Sequence, residues 1–212
     1  MRRTTVFVAV MTVYGSVSHA KTTPLPSPLV DERERAVQCL ALAVGYEAGY
    51  ERLAGQQAVA EVVLNRVRHT AYPKSVCGVV FQGSSRRTGC QFTFTCDGSM
   101  LRPLTAKVQL RSRSVAEAAI DGLNLSQVSG ATHYHASYVS PYWAPSLVKI
   151  GSIGAHIFYR TPGASDLSAG AYRLVAGREP VISGAAPASP IASPEIPAKA
   201  ALPPFAPWGL AF

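Results

Sequence analysis

Much of the usual catalytic vocabulary is missing from this chain. It has no GxSxG turn to expose a serine, no GxxxxGK[ST] loop to cradle a phosphate and no helical HExxH to hold zinc. Serine-elbow hydrolases, P-loop nucleotide enzymes and zincin-type proteases are excluded on that ground. The four cysteines, Cys39, Cys77, Cys90 and Cys96, include no CxxC pair, which argues against a zinc site built from thiols. No internal repeat is present. Carboxylates are scarce as well, 12 Asp and Glu against 20 Lys and Arg in 212 residues, so an acid in an apolar setting carries weight.

Long hydrophobic runs are also wanting. The stretch from Val6 to Val17 is too short to span a bilayer comfortably. It follows the basic start Met1-Arg2-Arg3 and precedes Ser18-His19-Ala20, so residues 1–20 read as a secretory signal cut after Ala20, with an uncleaved anchor as the alternative. Loss of Arg2 and Arg3 takes the formal charge from +8 to +6. A basic surface suits an anionic partner, and cell-wall polymers, nucleic acid and anionic lipid all qualify; the arginines are scattered rather than gathered into one tract. An exported chain meets an oxidising compartment, where four cysteines predict two disulfides. Three pairings are open, and Cys90 and Cys96 are near enough in sequence to bridge locally.

Residues 21–30 are a Pro/Thr/Ser-rich connector, and the folded domain is predicted over residues 31–161. The whole chain's 48% hydrophobic composition supplies an ample core. A first helix is expected from about Asp31 to Ala48, stopped by Gly49. A second follows Gly55, with Gln56, Val59, Ala60, Val63 and Val67 on one face and Gln57, Glu61, Asn65 and Arg68 on an outer face. The short link between them predicts an antiparallel hairpin that brings Gln56 close to Glu47. Ser75 to Phe81 forms a helical turn. Gln91 to Thr95 alternates with period two and predicts a strand ended by Asp97-Gly98. A third long helix is expected from Thr105 to Leu123, then short strands at Ala131–Ala136, Leu147–Ile150 and His156–Arg160. The fold class is therefore α+β and mainly helical, with a small antiparallel β element. Residues 162–212 form an Ala/Pro/Ser-rich tail that cannot bury enough apolar area to fold alone.

Glu47 is the pointed acid. At 100° per residue it shares a stripe with Leu40, Ala43 and Val44, which places its carboxyl against apolar atoms. Desolvation raises a carboxyl pKa, as a general acid near neutrality requires; a helix-end Glu paired with Arg52 is the bland alternative. Glu51 is the one nearby candidate for a second carboxylate, with loop and substrate-positioning roles equally open. His133 and His135 form an HxH pair whose metal reading lacks a third ligand of recognised spacing, and Tyr134 points to the opposite strand face. The loop from Tyr138 to Pro145, with Tyr142 and Trp143, makes a rigid wall of ring faces.

The ordered series YEAGYE, GQQAVAEVVLNRV, YPKSVCGVVFQ, CQFTFTCDG, ATHYHASYVSPYW and IGAHIFYR resembles the SleB-type cell-wall hydrolase family over roughly Ala36 to Arg160. The resemblance implies a lysozyme- and lytic-transglycosylase-like domain that is secreted or periplasmic and wall-associated, acting on peptidoglycan glycan strands. It implies no nucleic acid, metal or organic cofactor, and sets no oligomeric state. It makes Glu47 the acid/base that cleaves between N-acetylmuramic acid and N-acetylglucosamine, leaving 1,6-anhydromuramyl ends; a water-using muramidase and a non-catalytic wall binder are the alternatives. Gln56 is then expected to orient the acid or a sugar amide. Gln91 and Phe92 would border the cleft, and His133, Tyr134, Tyr142 and Trp143 would build its glycan wall. Asn65 is expected to be a structural hydrogen-bonding residue.

Overall fold

The structure, a computed structural model, describes residues 28–86, 88–123, 127–163 and 178–180, with side chains from residue 31 onward. The expected signal at 1–20 and most of the tail lie outside these residues. Four helices, α1 (Pro28–Ala48), α2 (Leu53–Arg68), α3 (Val76–Val80) and α4 (Ala106–Ile120), precede three strands, β1 (His133–Ala136), β2 (Val148–Ile153) and β3 (His156–Arg160). The strands form one antiparallel sheet in the order β1-β3-β2. This is the predicted α+β, mainly helical class. Among the described residues no helix is long and apolar enough to cross a membrane.

Helix α1 packs against α2, α3 and α4. Its stripe of Val37, Leu40, Ala43 and Val44 is fully buried with Val59, Val63 and Leu64 of α2 and Val76 and Val79 of α3. Close approach of α1 and α4 depends on glycine: a Cβ on Gly49 would sit 2.6 Å from Val108 Cγ1, and one on Gly45 would strike Leu104. Thr105 caps α4 by accepting from Val108 N, and the helix stops at Ile120, short of the expected Leu123.

The second helix departs from its sequence pattern. Its expected outer face is covered, leaving Glu61 2% and Asn65 1% exposed. The cover is the sheet, because Ala58 and Val62 pack with Val128, Ala131 and Phe158 in a second apolar cluster. Polar groups on this face hold the chain that leads into β1. Glu61 Oε2 accepts from Gln127 N and Val128 N at 2.8 and 3.0 Å, Asn65 Nδ2 donates to Ala131 O at 3.0 Å, and Arg66 Nε donates to Thr132 O at 2.8 Å. Asn65 is thus a structural hydrogen-bonding residue, though on a buried face. Buried polar groups are affordable only when so satisfied.

The expected strand at 91–95 is instead a 3-10 turn, Thr93–Thr95. Disulfides join Cys39 to Cys77 and Cys90 to Cys96. The second closes a short loop around the segment, and Thr95 Oγ1 donates to Phe92 O at 2.7 Å, folding the chain onto itself. Phe92 and Phe94 are still buried, as period two predicts.

Glu179, assigned by its sequence to the tail, docks on the helices. Its carboxylate accepts from Val76 N and Cys77 N, both at 2.8 Å, and its own N–H donates to Glu32 Oε2 at 2.8 Å. All this is buried, so Glu179→Ala would strand two N–H groups at the start of α3. A loss on the order of 2 kcal/mol is expected in urea unfolding; a change below about 0.5 kcal/mol, ordinary for surface sites, would show that the contact adds nothing.

Candidate active site

The last turn of α1 delivers Glu47 to an open cleft between the helices and β1. Tyr46 and Arg66 come from the helices, Gln91 and Thr93 from the disulfide-closed loop, and His133, Tyr134, His135 and His156 from the sheet; Tyr138 and Trp143 come from the following loop. Glu47 is the one acid among the described residues lining it. Burial pushes its carboxyl above the ordinary value; the Tyr134 hydrogen bond and the charges of His156 and Arg66 pull the other way, and Asp97 adds to the rise. Tyr134 OH donates to Glu47 Oε2 at 3.0 Å. Burial, then the neighbouring Glu47 charge, pushes the phenol well above its usual range, so Tyr134 remains a neutral donor.

Strand alternation behaves as expected, yet all three residues of His133-Tyr134-His135 reach the cleft. Tyr134 turns toward the helices with Phe158 and His156, whereas His133 and His135 gather Trp143 on the other face, with ring centroids 5.6 Å apart in both pairs. Because β1 lies at the sheet edge, the cleft wraps both faces. His135 stacks on Tyr159 at 5.3 Å and meets its hydroxyl at 2.9 Å. Burial, with the charges of Arg66 and His69, lowers the His133 pKa, favouring a neutral imidazole. Among the described residues no cluster of three or more His, Cys, Asp or Glu is placed to hold a metal.

Gln91, His133, Tyr134 and Trp143 stand on the cleft wall. Three other candidates do not. Gln56 is fully buried, and its amide nitrogen donates to Gly49 O and Glu51 O at 3.2 and 3.3 Å; proximity to the end of α1 made it a clamp on the helix turn. Phe92 is 2% exposed, packed on Phe94 and beneath the Arg66 guanidinium, so it is a core ring. Tyr142 is 95% exposed and does not line the cleft, although its neighbour Trp143 does.

Arg66 is a residue the sequence reasoning missed. It is buried within the apolar run of α2, with Tyr72, Phe92 and Tyr134 ring centroids 5.6, 5.4 and 5.9 Å from its guanidinium carbon. An arginine inside Val62-Val63-Leu64-Asn65-Arg66-Val67 is itself a signal, since buried arginine is rare without a purpose. His156, weighed from the sequence only as a possible third metal ligand beside His133 and His135, stands instead on the cleft wall against Tyr134.

The site is thus a half-buried carboxylate held by a phenol in an open aromatic cleft. The chain belongs to the Cell Wall Hydrolase family, whose model matches residues 50–159, just over half of the chain. Glu47 lies just ahead of that span, so its assignment rests on geometry. Similar proteins include the spore cortex-lytic enzymes of Halalkalibacterium halodurans, 34% identical over 124 residues covering 58% of this chain and 34% of that protein, and of Bacillus subtilis (strain 168), 32% identical over 126 residues covering 58% and 36%. The chain thus spans about a third of the length of these curated relatives. Among solved structures, the catalytic domain of the Bacillus cereus SleB protein matches with TM-score 0.46 and 27% identity, over 60% of this chain and 91% of that one. The catalytic domain of the germination-specific lytic transglycosylase SleB from Bacillus anthracis matches with TM-score 0.47 and 27% identity, over 59% and 94%.

Proposed function

We propose that this protein is exported and cuts peptidoglycan between N-acetylmuramic acid and N-acetylglucosamine, using Glu47 alone as acid and base. The observation that carries the reading is the one acid among the described residues of the cleft wall, pushed up by burial. Family membership and the names of the relatives supply the wall substrate. Protonated Glu47 gives its proton to the glycosidic oxygen as the bond from that oxygen to the muramyl anomeric carbon breaks. The resulting carboxylate takes the proton of the muramyl 6-hydroxyl as that oxygen closes on the same carbon. A 1,6-anhydromuramyl end forms and Glu47 returns to its acid form, so no second carboxylate and no water are consumed. Trp143, with His133 and His135 beside it, offers the stacking wall for a sugar ring. Two disulfides suit an oxidising compartment.

A water-using muramidase is the second reading, with Asp97, the smallest of the influences on the Glu47 carboxyl and outside the cleft lining, as its candidate second acid. Mass spectrometry of digested peptidoglycan separates the two. Anhydro ends are expected; reducing muramic ends, lost on Asp97→Asn, would establish hydrolysis. Tight binding with neither product would mark a wall-binding protein.

A further inference from the structure

Glu51, four residues after the acid, faces away from the cleft into the β2–β3 turn. Its Oε1 lies 2.9 Å from His156 Nδ1 and accepts from Ala155 N at 3.2 Å. Nδ1 has no formal hydrogen-bond partner, so Glu51 and the imidazole meet by close approach, as an ion pair whenever the ring carries its second proton. Glu51 Oε2 is buried with no hydrogen-bond partner. It occupies a slot walled by Gly55 and Gly154, where a Cβ on either glycine would strike the carboxylate. Gly154 holds φ +59 in the turn, which only glycine tolerates easily. A buried carboxylate oxygen without a donor is costly, and a neutral filler of the same shape would avoid that cost.

The far side of His156 gives the slot a purpose. The imidazole meets the Tyr134 ring edge-on, centroids 5.1 Å apart at 87°. With Arg66 near that ring at 5.9 Å and Phe158 at 5.7 Å, the phenol is gripped on several sides. Its hydroxyl then has a defined direction, onto Glu47 Oε2 at 3.0 Å.

We propose that Glu51 is a positioning residue, which through His156 fixes the Tyr134 hydroxyl on Glu47, and is not a second catalytic carboxylate. The inference rests on Glu47 being the acid. Glu51→Gln keeps the size of the filler and removes its charge. Expected is a fall in kcat on peptidoglycan of roughly 10- to 100-fold, with KM within about twofold, since no substrate contact is lost.

The deciding measurement is a cycle with Tyr134→Phe. If both residues act through one hydroxyl, the double variant is no slower than Tyr134→Phe alone. Multiplying effects, or an unchanged kcat in Glu51→Gln, would overturn the proposal. Should Glu51→Gln fail to fold, His156→Gln enters the cycle from the other end of the contact with the same expectation for kcat alone, because His156 itself lines the cleft. A second readout needs no turnover. The carboxyl carbon of Glu47, titrated by NMR, faces Tyr134 of β1, His156 of β3, Arg66 of α2 and Asp97 of the loop before α4. Its midpoint is expected to move upward in Glu51→Gln as the phenol loosens. A wild-type protein without cleavage but with this shift would sink the functional reading and keep the couple; cleavage with no shift would do the reverse.

Discussion

Glu47→Gln is expected to reduce peptidoglycan cleavage by about 10²- to 10⁴-fold, the usual worth of a positioned proton donor, while the protein becomes more stable at neutral pH. The two effects share one cause. Burial lifts the Glu47 carboxyl above its ordinary value, so the folded chain holds this proton more tightly than the unfolded chain does. The stabilisation is full below the unfolded value and disappears as pH rises through the raised folded value, above which a charged carboxylate sits in a poor solvent. Glutamine keeps an acceptor for the Tyr134 hydroxyl and never charges. Thermal unfolding should therefore favour Glu47→Gln at pH 7 to 8, and the gap should close below roughly pH 4, where the unfolded carboxyl is protonated. Equal melting at every pH together with undiminished cleavage would remove Glu47 from the mechanism.

The setting of Glu47 was legible because it is local. Leu40, Ala43, Val44 and Glu47 share a stripe whatever the rest of the chain does, and the helix around them formed as its periodicity predicts. The opposite face of α2 was not legible in the same way. Glu61 and Asn65 look like surface residues until the chain leading into β1, some 65 residues later, covers them and supplies backbone partners. Gln91 to Thr95 had the period of a strand, but pairing needs a neighbour in register, and a bridged loop with its own Thr95 hydrogen bond offered a nearer solution. The same logic divides the site. Trp143 and His133 reach the cleft from a loop and a strand the sequence marked. Gln56 was drawn instead to the carbonyls of its own turn. The Glu51–His156 contact joins residues with no local sign of each other.

Removing the Cys39–Cys77 disulfide should cost the most stability of any single covalent change. The bridge ties α1 to α3 across a separation of 38 residues, and the loop-closure entropy it denies the unfolded chain is about 4 kcal/mol. The Cys90–Cys96 bridge spans 6 residues and by the same reckoning contributes about 2 kcal/mol. The functional order should be the reverse. Cys39 lies two helical turns before Glu47, in a part of α1 fixed by the apolar core, so Cys39→Ala with Cys77→Ala should leave turnover near wild type wherever the variant remains folded. Cys90 and Cys96 bracket Gln91 and Thr93 on the cleft wall, and freeing that loop loosens the cleft without unfolding the core. Urea melts paired with initial rates at low temperature would read both orders. If the short bridge governs stability, or the long one governs turnover in folded protein, the division between a core that holds α1 and a separately closed cleft loop is wrong.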